Sequence, residues 1–206
     1  MRLVVMVIAA TLATSVDAQE TLRALARQNG DFTQRVTVSY EPVSMQQLVQ
    51  RSALIARVVV LSASPTLLES QQRIATDLTA QPLSIMRSPA GLVTGPTIMI
   101  RQIGGSLVFE GHRVTTEESG FPLLEIGKEY VLFLTKSPVL DRFEVVSGPQ
   151  GTFEATGDSL KQVSPMRELW PDDSAERTSI DTKDFERRLH TAVAELSKKD
   201  ALRSVK

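Results

Sequence analysis

The sequence predicts a mainly β protein built around a small antiparallel barrel, with short flanking helices. Five to seven short segments have the β-branched, alternating or fully apolar patterns of strands, and no strand–helix–strand alternation is sustained. The most apolar strand lies in residues 121–134, where a Pro-containing entry and a Gly turn precede the strand at 130–135. We expect this strand to be central and covered on both faces.

The N-terminus has the features of a secretory signal peptide, residues 1–18. Arg2 gives a positive start, residues 3–12 are largely apolar, and Val16 and Ala18 supply compact residues before the expected cleavage after Ala18. The apolar run is shorter than the roughly 20 residues that a membrane-spanning helix needs. The mature chain is therefore expected to be periplasmic or secreted, without a transmembrane segment.

Composition narrows the classes of function. The 206 residues include 23 basic and 24 acidic side chains, so the chain lacks the basic excess that nucleic-acid binders usually carry, and no nucleic-acid partner is expected. There is no Cys, so an exported chain must be stabilised by its apolar core rather than by disulfides.

The first part of the mature chain, residues 19–42, is expected to form a helix and an arm. Helical spacing of apolar residues predicts a helix over 20–28, ended by Gly30, and alternation predicts either a half-buried strand or an extended arm at 35–40. Ser44 is placed to cap a helix that leads directly into an apolar strand at 53–62.

The barrel domain is expected to span residues 43–163. A polar loop is expected at 111–120, and a loop rich in Pro and Gly at 87–96. Gly104 and Gly105 are expected to form a bulge that lets a strand continue. Besides those already named, the predicted barrel strands lie at 73–85, 97–103 with its continuation at 106–109, 142–146, 152–155 and 160–163.

The C-terminal part is predicted to be a linker, residues 164–180, followed by an amphipathic helix, residues 181–206. Apolar residues recur three or four positions apart in this helix, and charged residues fill the other side. We expect the helix to pack on its own barrel; binding of a partner by this helix is the alternative.

Three pieces of the sequence resemble a family of exported bacterial proteins that are mostly uncharacterised. They are the helix and strand of residues 44–60, the Gly pair with residues 120–134, and the Ser-Gly-Pro-Gln-Gly-Thr-Phe of residues 147–153. That family is similar to the oligonucleotide/oligosaccharide-binding (OB) barrels of netrin-like modules and tissue inhibitors of metalloproteinases. The resemblance implies an OB-like barrel for residues 43–163.

The resemblance does not extend to the inhibitory mechanism. Animal inhibitors of this class bind the protease zinc through an N-terminal Cys, whereas this mature chain has no Cys and is expected to begin at Gln19. Fold resemblance alone implies little about activity, because function depends on the residues of a site.

Few residues suit catalysis or metal binding. The two histidines, His112 and His190, lie far apart, and the chain lacks the Gly-x-Ser-x-Gly and Walker motifs. We therefore expect no metal and no cofactor. A hydrolase that uses His112 with Ser106 or nearby carboxylates is kept as an alternative, and a small-ligand carrier with an apolar cavity is another.

The leading prediction is an exported, non-enzymatic β-barrel domain that binds an extracytoplasmic protein or an envelope component. Loops and turns on a rigid barrel are where binding residues usually lie. We therefore expect the binding site at two glycine-rich turns, and the 87–96 loop is a further candidate. The expected site residues are Gly104, Gly105, Gly148, Pro149, Gln150 and Gly151.

Overall fold

The computed structural model describes residues 21–89, 92, 95–137, 141–163 and 179–204. The expected signal peptide lies outside the described residues, as do most of the expected linker and part of the 87–96 loop. The described helices are α1 (Leu22–Asn29), α2 (Met45–Arg51) and α3 (Thr182–Ser204). The described strands are β1 (Phe32–Val36), β2 (Leu54–Leu67), β3 (Ile74–Arg87), β4 (Ile98–Ile103), β5 (Gly105–Phe109), β6 (His112–Glu118), β7 (Glu129–Lys136), β8 (Phe143–Val145), β9 (Thr152–Thr156), β10 (Ser159–Gln162) and β11 (Ser179–Asp181).

The larger of two sheets partly closes into a ring. Its eight strands follow the order β11-β10-β9-β7-β2-β3-β4-β8, and β7 pairs with β8 as well. The five strands β2, β3, β4, β8 and β7 therefore form a partly closed series. The β4–β8 pairing is parallel and joins only two residue pairs, so this is the weakest junction of the ring. The predicted mainly β class is confirmed.

Strand β7 is buried on both faces, as its sequence predicts. Tyr130, Leu132 and Leu134 belong to the apolar cluster that fills the ring. The alternate residues Val131 and Phe133 belong to a second cluster, between the sheet and the helices. The period of two along a strand sends these two sets of side chains to opposite sides.

Helices α2 and α3 cover the outside of the ring. Phe185 of α3 is fully buried against Phe133 and Phe153, with ring centroids 6.3 and 5.0 Å away. The predicted packing of the C-terminal helix on its own sheet is thus confirmed. Ser44 forms a reciprocal capping box with Gln47 at the start of α2, as expected from its position.

The smaller sheet has three strands in the order β1-β6-β5. The prediction of a polar loop at residues 111–120 is wrong, because they contain strand β6. The strand near the expected 35–40 lies at Phe32–Val36, and residues 37–40 continue outside it as an arm. Pairing of β1 with β6 ends where Val36 meets Glu118, the last residue of β6, so the following residues leave the sheet. The eleven described strands exceed the five to seven predicted. Strand β5 is separate from β4 rather than its continuation, and β6 and β11 lie where a loop and the end of the linker were expected.

Candidate functional site

A groove of about 430 Å³ lies where the two sheets meet. This volume is within the range of ligand-binding clefts, roughly 300–1,000 Å³. One wall is apolar and the other carries hydroxyl and carboxylate side chains. The groove is lined by Ile103, Gly104, Gly105, Ser106, Thr115, Thr116, Glu117, Glu118, Gly120, Phe121, Pro122 and Leu123.

Gly104 and Gly105, two of the expected binding residues, line this groove because the chain changes sheets there. Both have positive φ angles, +121° and +124°, which side-chain-bearing residues rarely adopt. A Cβ atom at Gly105 would lie 2.5 Å from Thr76 Oγ1. The Thr76 hydroxyl itself donates to the Gly104 carbonyl at 2.7 Å, so the junction is tightly held.

The apolar wall is fixed by Gln102, which is buried on β4. Its Nε2 donates to the Pro122 carbonyl at 2.8 Å, and its Oε1 accepts from the Leu124 backbone N–H at 3.2 Å. The segment after Gly120 does not pair as a strand, and the single amide side chain of Gln102 supplies hydrogen bonds to its backbone instead. This fixes the position of Leu123, whose side chain lies against Gly104.

The polar wall is formed by residues of β5 and β6; Thr33 and Arg35 of β1 lie beside it on the open face of the three-stranded sheet and do not line the groove. Thr33, Thr115 and Ser106 lie in register across the three strands, and the two hydroxyls of Ser106 and Thr115 are 2.7 Å apart. The next row places Arg35 beside Glu117, with Nε and Oε2 3.7 Å apart and both side chains more than half exposed. Ser106, Thr115 and Glu117 can therefore present hydroxyl and carboxylate groups to a ligand.

Glu118, at the end of β6, is buried and accepts a hydrogen bond from the hydroxyl of Tyr40. Burial raises the pKa of Glu118, an effect that the hydrogen bond from Tyr40 partly offsets. Burial raises the pKa of Tyr40, and the hydrogen bond to the Glu118 carboxylate and its charge raise it further. The Tyr40 hydroxyl therefore stays protonated and remains a donor at neutral pH. The pair ties the N-terminal arm to the rim of the groove.

The second expected binding turn, Gly148, Pro149, Gln150 and Gly151, is a buried 3-10 turn that does not line the groove. Gly148 has a φ angle of +53°, and a Cβ atom there would lie 2.4 Å from the Tyr40 ring. Gln150 accepts from the backbone N–H of Val43 and donates to the carbonyl of Glu41, each at 2.9 Å. In this structure the turn holds residues 40–43 of the arm.

His112 and Ser106 are not brought together. His112 pairs with Phe109 at the far end of the β5–β6 hairpin, three residues along the strand from Ser106 or about 10 Å. The nearest carboxylate is that of Asp31, with an oxygen 3.6 Å from His112 Nδ1. Within the described part of the chain, no group of three or more His, Cys, Asp or Glu residues could hold a metal ion.

Sequence reasoning missed Thr115 and considered Glu117 and Glu118 only as carboxylates near His112, because all three lie in the segment interpreted as a loop. A usable signal was present in residues 112–118, where Val114, Thr116 and Glu118 alternate with more exposed residues. It was weak because only Val114 among the buried residues is apolar.

Comparison with known proteins gives no relatives: no protein family model matches the chain, and neither does any curated protein. Among the described helices there is none with the length and apolar content needed to cross a membrane.

Proposed function

We propose that this chain is an exported, non-enzymatic binding domain, in which an OB-like barrel supports a groove that accepts an extended peptide segment of a partner protein. The groove at the junction of the two sheets is the observation that carries this proposal. Export rests on the signal-peptide pattern of residues 1–18 and makes the partner an extracytoplasmic protein or a protein component of the envelope.

The barrel assignment is supported by the pairing of five strands in a partly closed series. An OB fold is a five-stranded, partly open Greek-key barrel, so strand number and incomplete closure both agree with it. The apolar cluster that fills the ring interior argues against a ligand carried inside the barrel. The groove outside the ring is therefore the better candidate for binding.

An extended segment fits this groove better than a compact ligand does. Strand β5 begins in the groove at Gly105 and Ser106 and is an edge strand of its sheet. An edge strand presents unpaired backbone N–H and C=O groups, and addition of a partner strand is a common mode of peptide recognition. The groove would then receive one or two side chains of a segment whose backbone runs along β5.

A photocrosslinking amino acid at position 106 tests the proposal in the cell that produces the protein. We expect one discrete crosslinked partner, absent when the same amino acid replaces Lys161, an exposed residue on β10. The crosslinked segment, synthesised as a free peptide, is expected to bind the purified full chain. Identical crosslinks at both positions, or none at 106, would overturn the proposal.

Matched substitutions provide the control for the peptide measurement. Ser106→Tyr places an aromatic ring in the groove and is expected to abolish binding. Leu83→Tyr adds the same ring on β3, where Leu83 is 47% exposed and is not among the described residues that line the groove. Binding should survive in this second variant; equal loss in both would show that the groove is not the site.

A further inference from the structure

We infer that the groove selects a segment carrying a Lys or Arg side chain, which enters between the apolar wall and Glu117. This inference rests on the proposed function and names the chemistry of the segment. Of the twelve described residues that line the groove, the two charged ones, Glu117 and Glu118, are both acidic. A cationic side chain is therefore complementary to this groove in charge, and an acidic one is repelled.

Glu117 is the carboxylate that is available to a ligand. It lies on the open face of β6, on the same side as Thr115 two residues earlier, and is 56% exposed. Its ion pair with Arg35 is long and solvated, and exposed pairs of this kind contribute about 0–1 kcal/mol. An incoming cation can therefore displace Arg35 at little cost.

The apolar wall suits the rest of such a side chain. Lys and Arg carry a stem of three or four methylene groups that packs on apolar surface while the charged end remains with polar groups. Ile103, Phe121, Pro122 and Leu123 supply that surface in the groove that the hydroxyl and carboxylate groups also line. Ser106 and Thr115 add two hydroxyl oxygens that can accept hydrogen bonds from the cation.

Arg35 then acts as an internal competitor for the same carboxylate. Its guanidinium occupies the place beside Glu117 that a ligand cation would take. Removal of this charge should strengthen binding of a basic segment, whereas removal of the Glu117 charge should weaken it. Opposite effects from two exposed neighbours would not arise if these residues acted only on stability.

A random nonapeptide library displayed on phage and selected on the full chain tests both the proposed peptide binding in the groove and the selection of a basic side chain. Sequences that bind the wild-type chain and Leu83→Tyr, but not Ser106→Tyr, are those that use the groove. We expect these sequences to share Lys or Arg at one position. If no groove-dependent sequence appears, the proposed function fails and this inference fails with it. If such sequences appear without a shared basic residue, only this inference is overturned.

Affinities of one selected peptide complete the test. Because one ion pair of 1 kcal/mol corresponds to a factor of about 5, Glu117→Gln should weaken binding about fivefold, and Arg35→Gln should tighten it by a smaller factor. Replacing the basic residue of the peptide by norleucine should remove both effects. Glu144→Gln, an exposed charge change on β8, is the control and should leave affinity unchanged. A Glu117→Gln variant with wild-type affinity would contradict the inference.

Discussion

The hydroxyl of Tyr40 donates a hydrogen bond to the buried carboxylate of Glu118, 78 residues away in the sequence. This contact joins the arm that follows β1 to the last residue of β6, beside the groove. The Tyr40 ring also lies against Gly148, so one side chain connects the three-stranded sheet to the turn that follows β8. The rim of the groove therefore depends on residues that do not line it.

The raised pKa of Glu118 predicts a pH-dependent stability. Since burial raises the pKa in the folded state above its value in the unfolded chain, the folded state binds more protons between the two values. Stability should therefore fall as the pH rises from below the ordinary Glu pKa through the folded pKa. Glu118→Gln should remove this part of the pH dependence. The measurement is urea denaturation from pH 4 to pH 8, and an unchanged profile in the variant would contradict the assignment.

Gly148→Ala tests the packing of the arm on the Gly148 turn. The new methyl group would overlap the Tyr40 ring and also strain a residue with positive φ, which together should cost about 2–4 kcal/mol. Gly157→Ala is the matched control, because Gly157 has a φ angle of +59° and, among the described residues beyond its chain neighbours, none has an atom within 4 Å of the added Cβ. It should cost only the backbone strain, about 1–2 kcal/mol. Equal loss of stability in thermal unfolding would show that the contact with Tyr40 is unimportant.

The large sheet could be predicted from sequence because its strands carry strong apolar signals. Residues 130–134 alternate between two apolar clusters, so burial of both faces covers every side chain of this apolar segment. Similarly, the periodicity of α3 and the capping box of α2 arise from local spacing that sequence records directly. These elements needed no knowledge of distant contacts.

The three-stranded sheet could not be predicted in the same way, because its buried face is partly polar. Thr116 is buried since its hydroxyl accepts from the Ile74 backbone N–H at 3.2 Å. Glu118 is buried with Tyr40 as its donor. Because these buried residues are polar, the residues of β6 alternate in burial without alternating in hydrophobicity. The partners that allow their burial are distant in sequence, so no local pattern reveals them. The polar half of the groove was missed for this reason.

The glycine turns illustrate a different limit. Two Gly-rich segments looked equivalent in sequence, yet Gly104 and Gly105 line the groove whereas the turn containing Gln150 is buried. What distinguishes them is the arm at residues 40–43, which covers the second turn. Its hydrogen bonds to Gln150 link residues more than 100 positions apart and have no local signature.

Phe133→Asp tests the position of β7 between its two apolar clusters. Phe133 is fully buried among Phe153 and Phe185, so an unpaired carboxylate there should prevent accumulation of folded protein. Ile126→Asp introduces the same group at a residue that is 61% exposed in the turn before β7, and should change the free energy of unfolding by less than about 0.5 kcal/mol. Soluble yield and thermal unfolding measure both. Accumulation of Phe133→Asp with wild-type thermal stability would show that this placement is wrong.

Asp77 holds the ring together at its weakest junction. Its carboxylate accepts two hydrogen bonds from Arg101 on β4, at 2.8 and 3.0 Å, and one from Arg142 just before β8, at 2.6 Å. Asp77 lies on β3, so these bonds connect three strands where β4 and β8 share only two residue pairs. Removing one member of a buried ionic group leaves the others without a counter-charge, which costs about 3–5 kcal/mol when burial is complete.

Asp77→Ala should therefore cost about 3 kcal/mol, since the side chains of Arg101 and Arg142 are only 18% and 25% exposed. Asp141→Ala is the control: this neighbour of Arg142 is 95% exposed and pairs with Lys136 at 3.0 Å, so its loss should cost no more than about 0.5 kcal/mol. Urea denaturation gives both values. Amide hydrogen exchange should also show faster exchange across β8 in Asp77→Ala, because the ring opens first at this junction. If β8 exchanges at the wild-type rate while stability falls, the ionic cluster stabilises the sheet without closing the ring.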